Sequence, residues 1–369
     1  MTTSDVTAAR TRAFVAAAVG RVRPVSEHWR REGARRLDRL TKPPGSLGRL
    51  EEIALRCCAI QETLDLTTSP RRIIVCAGDH GVVAEGVSAY PRAVTAQMVA
   101  NFLAGGAAIN ALAAAAEADV WIVDVGVDGP IAADGRHARL LSRRVRNGTR
   151  NMLEEPAMSE AELVAALQVG LDLAAQAAAD GVRLLGLGEM GIGNTTAASA
   201  VTAAMTGRPP ALVTGRGTGV DEDTFGRKVS VVGRAVARHR SAPGAPSAPL
   251  DALRSVGGLE IAALCGVCLG AAAHRLAIVA DGFVATSAAL VAAALAPSLT
   301  DYLFAGHLSP EPGHAVQLDH LGLSPLLNLN MRLGEGTGAA LAMPVIGAAA
   351  RAFTSMATFE SAGVSEQQS

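Results

Sequence analysis

The sequence predicts an α/β fold built on a mostly parallel sheet with crossover helices. Three observations carry that expectation. Short β-branched runs recur from residue 71 onward, alanine-rich helical stretches separate them, and each run ends in glycine or a polar turn. At 369 residues, 49% of them hydrophobic, the chain can bury a large core and is expected to hold one large domain plus something smaller.

In chain order, residues 1 to about 40 read as helix, with Arg30, Arg31, Arg35, Arg36 and Arg39 forming a solvated charge run. Within it Ala13–Gly20 is too short for a secretion signal and is flanked by Asp5, Arg21 and Arg23, so it reads as an amphipathic helix. Two prolines and two glycines in Leu40-Thr-Lys-Pro-Pro-Gly-Ser-Leu-Gly-Arg-Leu50 forbid regular structure there, and a helix follows through Glu51–Arg56. Strands are expected at Ile73–Cys76, Val120–Asp124, Leu184–Leu185, Leu212–Val213 and Leu276–Val279. The Pro- and Ser-rich segment Arg238–Pro249 reads as a surface loop, and Ser365–Ser369 as a frayed end.

Composition narrows the partners. A net charge of -1 and an aromatic content of 3% supply neither a basic groove nor stacking platforms, so no nucleic acid is expected and the ligand should be a small molecule. The apolar runs Ile261–Ala273 and Gly336–Ala350 fall short of the roughly 20 residues that span a bilayer, and no membrane segment is predicted. Five scattered cysteines suit a reducing cytoplasm better than a disulfide framework. Cys265-x-x-Cys268 lacks a second ligand pair at metal spacing and reads as one turn of buried helix, so no structural metal is expected.

Ligands in parallel sheets bind beyond the carboxyl ends of the strands, which directs attention to the polar residues placed there. After the first strand, Asp79-His80 reads as a catalytic pair, a metal site or a structural Asp–His hydrogen bond. Gly186-Leu-Gly-Glu-Met-Gly191 satisfies G-x-G-x-x-G, yet no acid stands between Glu189 and Asp221 to hold a ribose, which weighs against a dinucleotide. Glycines with Asn194, Thr195 and Thr196 at a helix start suit one phosphate; a plain capped turn fits that stretch equally well. Thr214-Gly-Arg-Gly-Thr-Gly-Val-Asp221, followed by Lys228, is a second loop of the same kind, so a phosphorylated ligand leads. Asp281 ends the next strand, and His307 and His314 read as acid–base groups or as loop donors, the loop role being favoured.

Glu335 is the candidate base, although Gly-Glu-Gly on its own fits a solvated turn acid better. Glycines on both sides remove neighbouring side chains, so its carboxylate should be presented bare at a helix start.

Taken together, these segments resemble the nicotinate-nucleotide–dimethylbenzimidazole phosphoribosyltransferase family. The matching pieces are Leu40–Arg49, Ala77–Gly81 with Gly86-Val-Ser-Ala-Tyr-Pro91, Gly148–Asn151, Gly188–Thr196, Gly215–Gly219, Val256–Glu260, Asp281–Phe283, Glu311–His314 and Leu333–Gly338, in one order from about residue 40 to 350. The resemblance implies a doubly wound, Rossmann-like α/β domain over residues 41–330 and a small helical domain from residues 1–40 plus 331–369. It also implies a homodimer and a cytoplasmic enzyme that needs no cofactor. The implied reaction is nicotinate mononucleotide plus 5,6-dimethylbenzimidazole giving α-ribazole 5′-phosphate and nicotinate, with inversion at the anomeric carbon. By the same carry-over Glu335 is the general base and Ser88, Tyr90 and Gln97 belong to the azole pocket. Glu189, Gly191, Asn194, Thr195, Gly217, Lys228, Asp281, Ser309, Leu333 and Gly334 complete the expected substrate-binding set. A non-catalytic azole- or nucleotide-binding homologue is the alternative, disfavoured because Glu335, Ser88 and Lys228 are all present.

Overall fold

The computed structural model describes residues 3–132, 138–217, 219–241 and 249–365. Seven strands form one sheet: β1 Arg71–Gly78, β2 Ala118–Gly126, β3 Arg139–Ser142, β4 Leu184–Met190, β5 Ala277–Ala280, β6 Leu303–His307 and β7 Pro325–Leu327. Their order is β3-β2-β1-β4-β5-β6-β7, and every neighbouring pair is parallel. The chain therefore winds outward from β1 in one direction, then returns to β1's other side with β4 and continues the opposite way. That reversal makes the sheet doubly wound, with a crevice at the strand ends beside it.

The helices are α1 Thr3–Val19, α2 Glu27–Arg39, α3 Arg49–Gln61, α4 Val94–Ala104, α5 Ala108–Ala115, α6 Glu160–Ala179, α7 Asn194–Thr206 and α8 Pro210–Val213. There follow α9 Glu222–Ser241, α10 Pro249–Val256, α11 Leu259–Ala273, α12 Phe283–Leu295, α13 Pro312–Leu321, α14 Thr337–Ser355 and α15 Phe359–Ala362. A helix apolar on all sides must be buried, and α11 and α12 are buried almost throughout. Small residues let backbones close up: a Cβ at Gly170 of α6 would strike Ala263 O of α11, and one at Gly266 would strike Leu167 O. Chain ends meet as well, since Arg36 donates to Phe353 O and Thr354 O at 3.0 Å each and Leu40 bridges Thr358. From there α14 packs on α3, β4 and β6.

Several local expectations change. Leu212–Val213 is the end of α8 and not a strand, because Pro210 has a fixed φ and no N–H and so starts a helix. The first helix breaks after Val19, and α2 starts afresh with Ser26 as its cap. Arg238–Ser241 completes α9 and Pro249 opens α10, while residues 242–248 of the anticipated loop, and 366–369 of the anticipated frayed end, lie outside the described residues. Two stretches, Val94–Ala115 and Glu160–Ala179, do have the length and mean hydropathy of a membrane span. The first is interrupted at Gly105 between α4 and α5, and the second lies along α11. All five cysteines are unpaired and buried, Cys265 and Cys268 on one turn of α11.

Candidate active site

A cleft lies at the carboxyl ends of β4, β5 and β6. Each wall is a strand-to-helix turn. Glu189, Gly191, Asn194 and Thr195 come from the turn into α7, Gly282 and Phe283 from the turn into α12, and His307, Ser309 and Glu311 from the turn into α13. Gly217 and the segment Arg332–Gly334 close the sides. Eight of the expected substrate-binding residues thus share one cleft: Glu189, Gly191, Asn194, Thr195, Gly217, Ser309, Leu333 and Gly334.

Lys228 lies under one end. Its ammonium, on α9 and 1% exposed, donates to Thr195 Oγ1 at 2.8 Å. Burial pushes it down to about 8, with the Glu311 carboxylate pulling the other way. A buried cation beneath the first turn of α7, whose residues Asn194 and Thr195 line the cleft, is a favourable setting for an anion.

The other end is acidic. Gly334, Glu335 and Gly336 have φ values of 87°, 65° and 89°, three successive left-handed residues. For glutamate this conformation costs roughly 1–2 kcal/mol, and such strain persists only where the surroundings enforce it. Asp281, at the end of β5, provides that enforcement: its Oδ2 accepts the Gly336 N–H at 3.1 Å, and its Oδ1 accepts those of Gly338 and Ala339 at 2.6 and 3.1 Å. Burial pushes the Asp281 carboxyl up to about 7 while these three N–H groups pull it down.

The carboxylate of Glu335 is not bare, as flanking glycines suggested, but 5% exposed. The left-handed turn folds it inward beside the start of α5. Burial raises its pKa, the Ile109 N–H lowers it, Asp281 raises it further, and Oε2 has no hydrogen-bond partner among the described residues. Glu189, which accepts from Asn194 Nδ2, is raised well above the usual carboxylate range by burial, then by Asp281, Glu260 and Glu335.

A family model described as a phosphoribosyltransferase matches residues 22–364 of this chain. A nicotinate-nucleotide–dimethylbenzimidazole phosphoribosyltransferase from Geobacter metallireducens is 50% identical over 343 residues, covering 93% of this chain and 96% of the relative. Its namesake from Thermus thermophilus is 53% identical over 330 residues, covering 89% and 96%. The chain belongs to this phosphoribosyltransferase family. Its fold is similar to the crystal structure of CobT from Thermus thermophilus, with a TM-score of 0.87 and 52% identity over 92% of this chain and 100% of that one.

In this phosphoribosyltransferase the three residues expected around the azole do not wall the cleft. Ser88 is half-buried and its Oγ accepts the Tyr90 N–H at 3.1 Å, while Tyr90 is 49% exposed. Gln97 is exposed on α4. Thr95, two residues earlier and so on nearly the opposite side of that helix, faces inward: its hydroxyl donates to Asp79 Oδ1 and accepts the Ile192 N–H of the cleft.

Asp79 and His80 do not bond to each other. Asp79 accepts from Thr95 and from the Asp128 N–H, whereas His80 Nε2 meets Glu260 Oε1 at 2.8 Å, since successive residues of extended chain point to opposite sides. His314 is a loop support, with Nδ1 accepting the Ser309 N–H and Nε2 against Thr286 Oγ1. His307 lines the cleft, its Nε2 3.8 Å from Asp281 Oδ1. Glu311 and Arg332 were not singled out from sequence. Glu311 stands in a glycine- and proline-set loop and in a segment that carries the family resemblance, but nothing local marks its carboxylate as part of the site, and a lone Arg332 beside an exposed leucine carries no motif.

Proposed function

We propose that the chain transfers the 5-phosphoribosyl group of nicotinate mononucleotide to 5,6-dimethylbenzimidazole or a related base. The products are α-ribazole 5′-phosphate and nicotinate. The relatives' shared name supports the reaction, and one observation supports its chemistry: a strained turn directly after the cleft-lining Gly334 holds the Glu335 carboxylate with one oxygen buried and unpartnered.

The phosphate sits over the α7 start and Lys228, and the ribose extends toward the acidic end. One azole nitrogen attacks the anomeric carbon as the bond to the pyridinium nitrogen breaks, its electron pair leaving with nicotinate. Attack opposite the leaving group inverts β to α. Glu335 takes the proton from the other azole nitrogen, so no azolium cation accumulates; general-base help of this kind contributes roughly 10²–10⁴ in rate. Its raised pKa makes it a stronger base than an exposed carboxylate. Buried Asp281 holds the turn, and Glu189 faces the ribose. Ser88, Tyr90 and Gln97 approach the base from outside the cleft.

The chain is further proposed to act as a cytoplasmic homodimer, with residues 1–40 and 331–369 forming a helical unit beside the main α/β domain. Purified protein is incubated with nicotinate mononucleotide and a panel of benzimidazoles, purines and phenols, and products are followed by chromatography. Release of nicotinate with an α-configured nucleotide is expected; silence with the whole panel would sink the proposal and favour a binding protein.

A further inference from the structure

Gly217 is held from two sides of the cleft. Its N–H donates to Glu311 Oε1 at 2.8 Å, and its carbonyl accepts from Arg332 Nη1 at 3.4 Å. Its φ of 56° places it against the phosphate end, where a Cβ would lie 3.0 Å from Thr195 Oγ1 and 3.2 Å from Lys228 Nζ. Glu311 is itself fixed: it is 8% exposed, stands at the N-cap position of α13, and its N–H donates to Ser309 Oγ at 3.3 Å. Its Oε2 is buried without a hydrogen-bond partner among the described residues, and only glycine fits opposite, because a Cβ at Gly215 would run into the carboxylate.

We infer that Glu311 is a positioning residue for the nucleotide: by accepting the Gly217 N–H it ties the turn after β6 to the 214–217 segment and sets Gly217 over Lys228 and Thr195. The inference rests on the proposed function, since it assigns the phosphate to this end. Glu311 touches no reacting atom, so its loss should be read in nucleotide affinity and not in the chemical step. An amide at the same position still presents an oxygen to Gly217 and should serve nearly as well.

The test is calorimetric titration with nicotinate mononucleotide, paired with steady-state kinetics using dimethylbenzimidazole, on the full chain. Glu311→Ala should weaken nucleotide binding by about tenfold or more while kcat at saturating nucleotide stays within about threefold, as expected for one lost buried acceptor. Glu311→Gln should bind within about threefold of wild type. Gly215→Ala, which leaves the carboxylate in place but pushes the loop away from it, should resemble Glu311→Ala and keeps the idea testable should that variant misfold. Unchanged or tighter binding by Glu311→Ala would overturn the inference, tighter binding marking the carboxylate as a competitor of the phosphate. So would a fall in kcat at unchanged affinity, or a Glu311→Gln variant as weak as the alanine. Wild-type protein that binds the nucleotide yet releases no nicotinate would refute the proposed reaction while the affinity series still decides Glu311; wild type that does not bind it overturns both.

Discussion

Asp281 Oδ2 accepts the backbone N–H of Gly336 at 3.1 Å, so the residue that follows the candidate base is pinned to the end of β5. With Gly338 and Ala339 also bonded to it, one carboxylate both caps α14 and holds Glu335 in its left-handed conformation. Asp281→Ala should therefore cost stability and activity together. Leaving three buried N–H groups without acceptors predicts a loss of about 3 kcal/mol in urea unfolding. A loss below about 1 kcal/mol would show that water replaces the carboxylate at little cost.

Glu335→Gln preserves shape and removes the base. It should fold with wild-type secondary structure and lose about 100-fold or more in kcat, with nucleotide affinity little changed. Because burial raises the Glu335 pKa, kcat of the wild type should fall on acidification at a pH above the ordinary carboxylate value of 4.5, as the base becomes protonated. The glutamine variant should lack that acidic limb. Wild-type turnover with benzimidazole would remove Glu335 from the mechanism.

How much of this arrangement the sequence discloses depends on the kind of signal each residue leaves. β1 and β2 are legible because buried parallel strands read as continuous runs such as Ile73–Cys76. β3, β6 and β7 are not: β3 and β7 are short edge strands, and β6 ends Gly-His at the cleft, so none has room for a pattern. Leu212–Val213 looks like a strand by residue type, and the proline before it decides otherwise. At the site, glycine-flanked acids and threonine-rich turns mark Glu335, Asn194 and Thr195 in advance. Glu311 lies in a segment that carries the family resemblance, yet its role stays hidden, because it depends on Gly217, 94 positions away, and only the fold brings them together. The inward burial of Glu335 is hidden for the same reason, since Ile109 and Asp281 are remote in sequence.

Lys228 predicts a pH dependence of opposite sense. Its pKa is lowered from 10.5 to about 8, so the ammonium is charged below about pH 8 and neutral above it. The KM for nicotinate mononucleotide should rise above that pH by up to about tenfold per unit, while nicotinate riboside, which lacks the phosphate, should show no such limb. Between pH 8 and 10.5 the unfolded chain binds more protons at this site, so its contribution to stability grows with pH over that window and cannot account for the weaker binding. Lys228→Ala should weaken nucleotide binding and flatten the profile. An unchanged affinity would remove the phosphate from this end of the cleft.

Gly188 tests whether the turn and the sheet act as one unit. A Cβ there would lie 2.6 Å from Glu335 O, 2.9 Å from Glu335 C and 3.0 Å from Gly336 N, all backbone atoms that cannot rotate away. Gly188→Ala must displace either β4 or the 334–336 turn. β4 is bonded to β1 on one side and β5 on the other, whereas the turn already carries strain, so the turn should yield. Overpacking of this kind costs about 1–3 kcal/mol, measurable by urea unfolding, and shifting the base by even a fraction of an ångström should lower kcat by about tenfold or more with nucleotide affinity retained. Loss of stability with full activity would mean that β4 moved and Glu335 did not, and the rigid coupling between strand and base would be wrong.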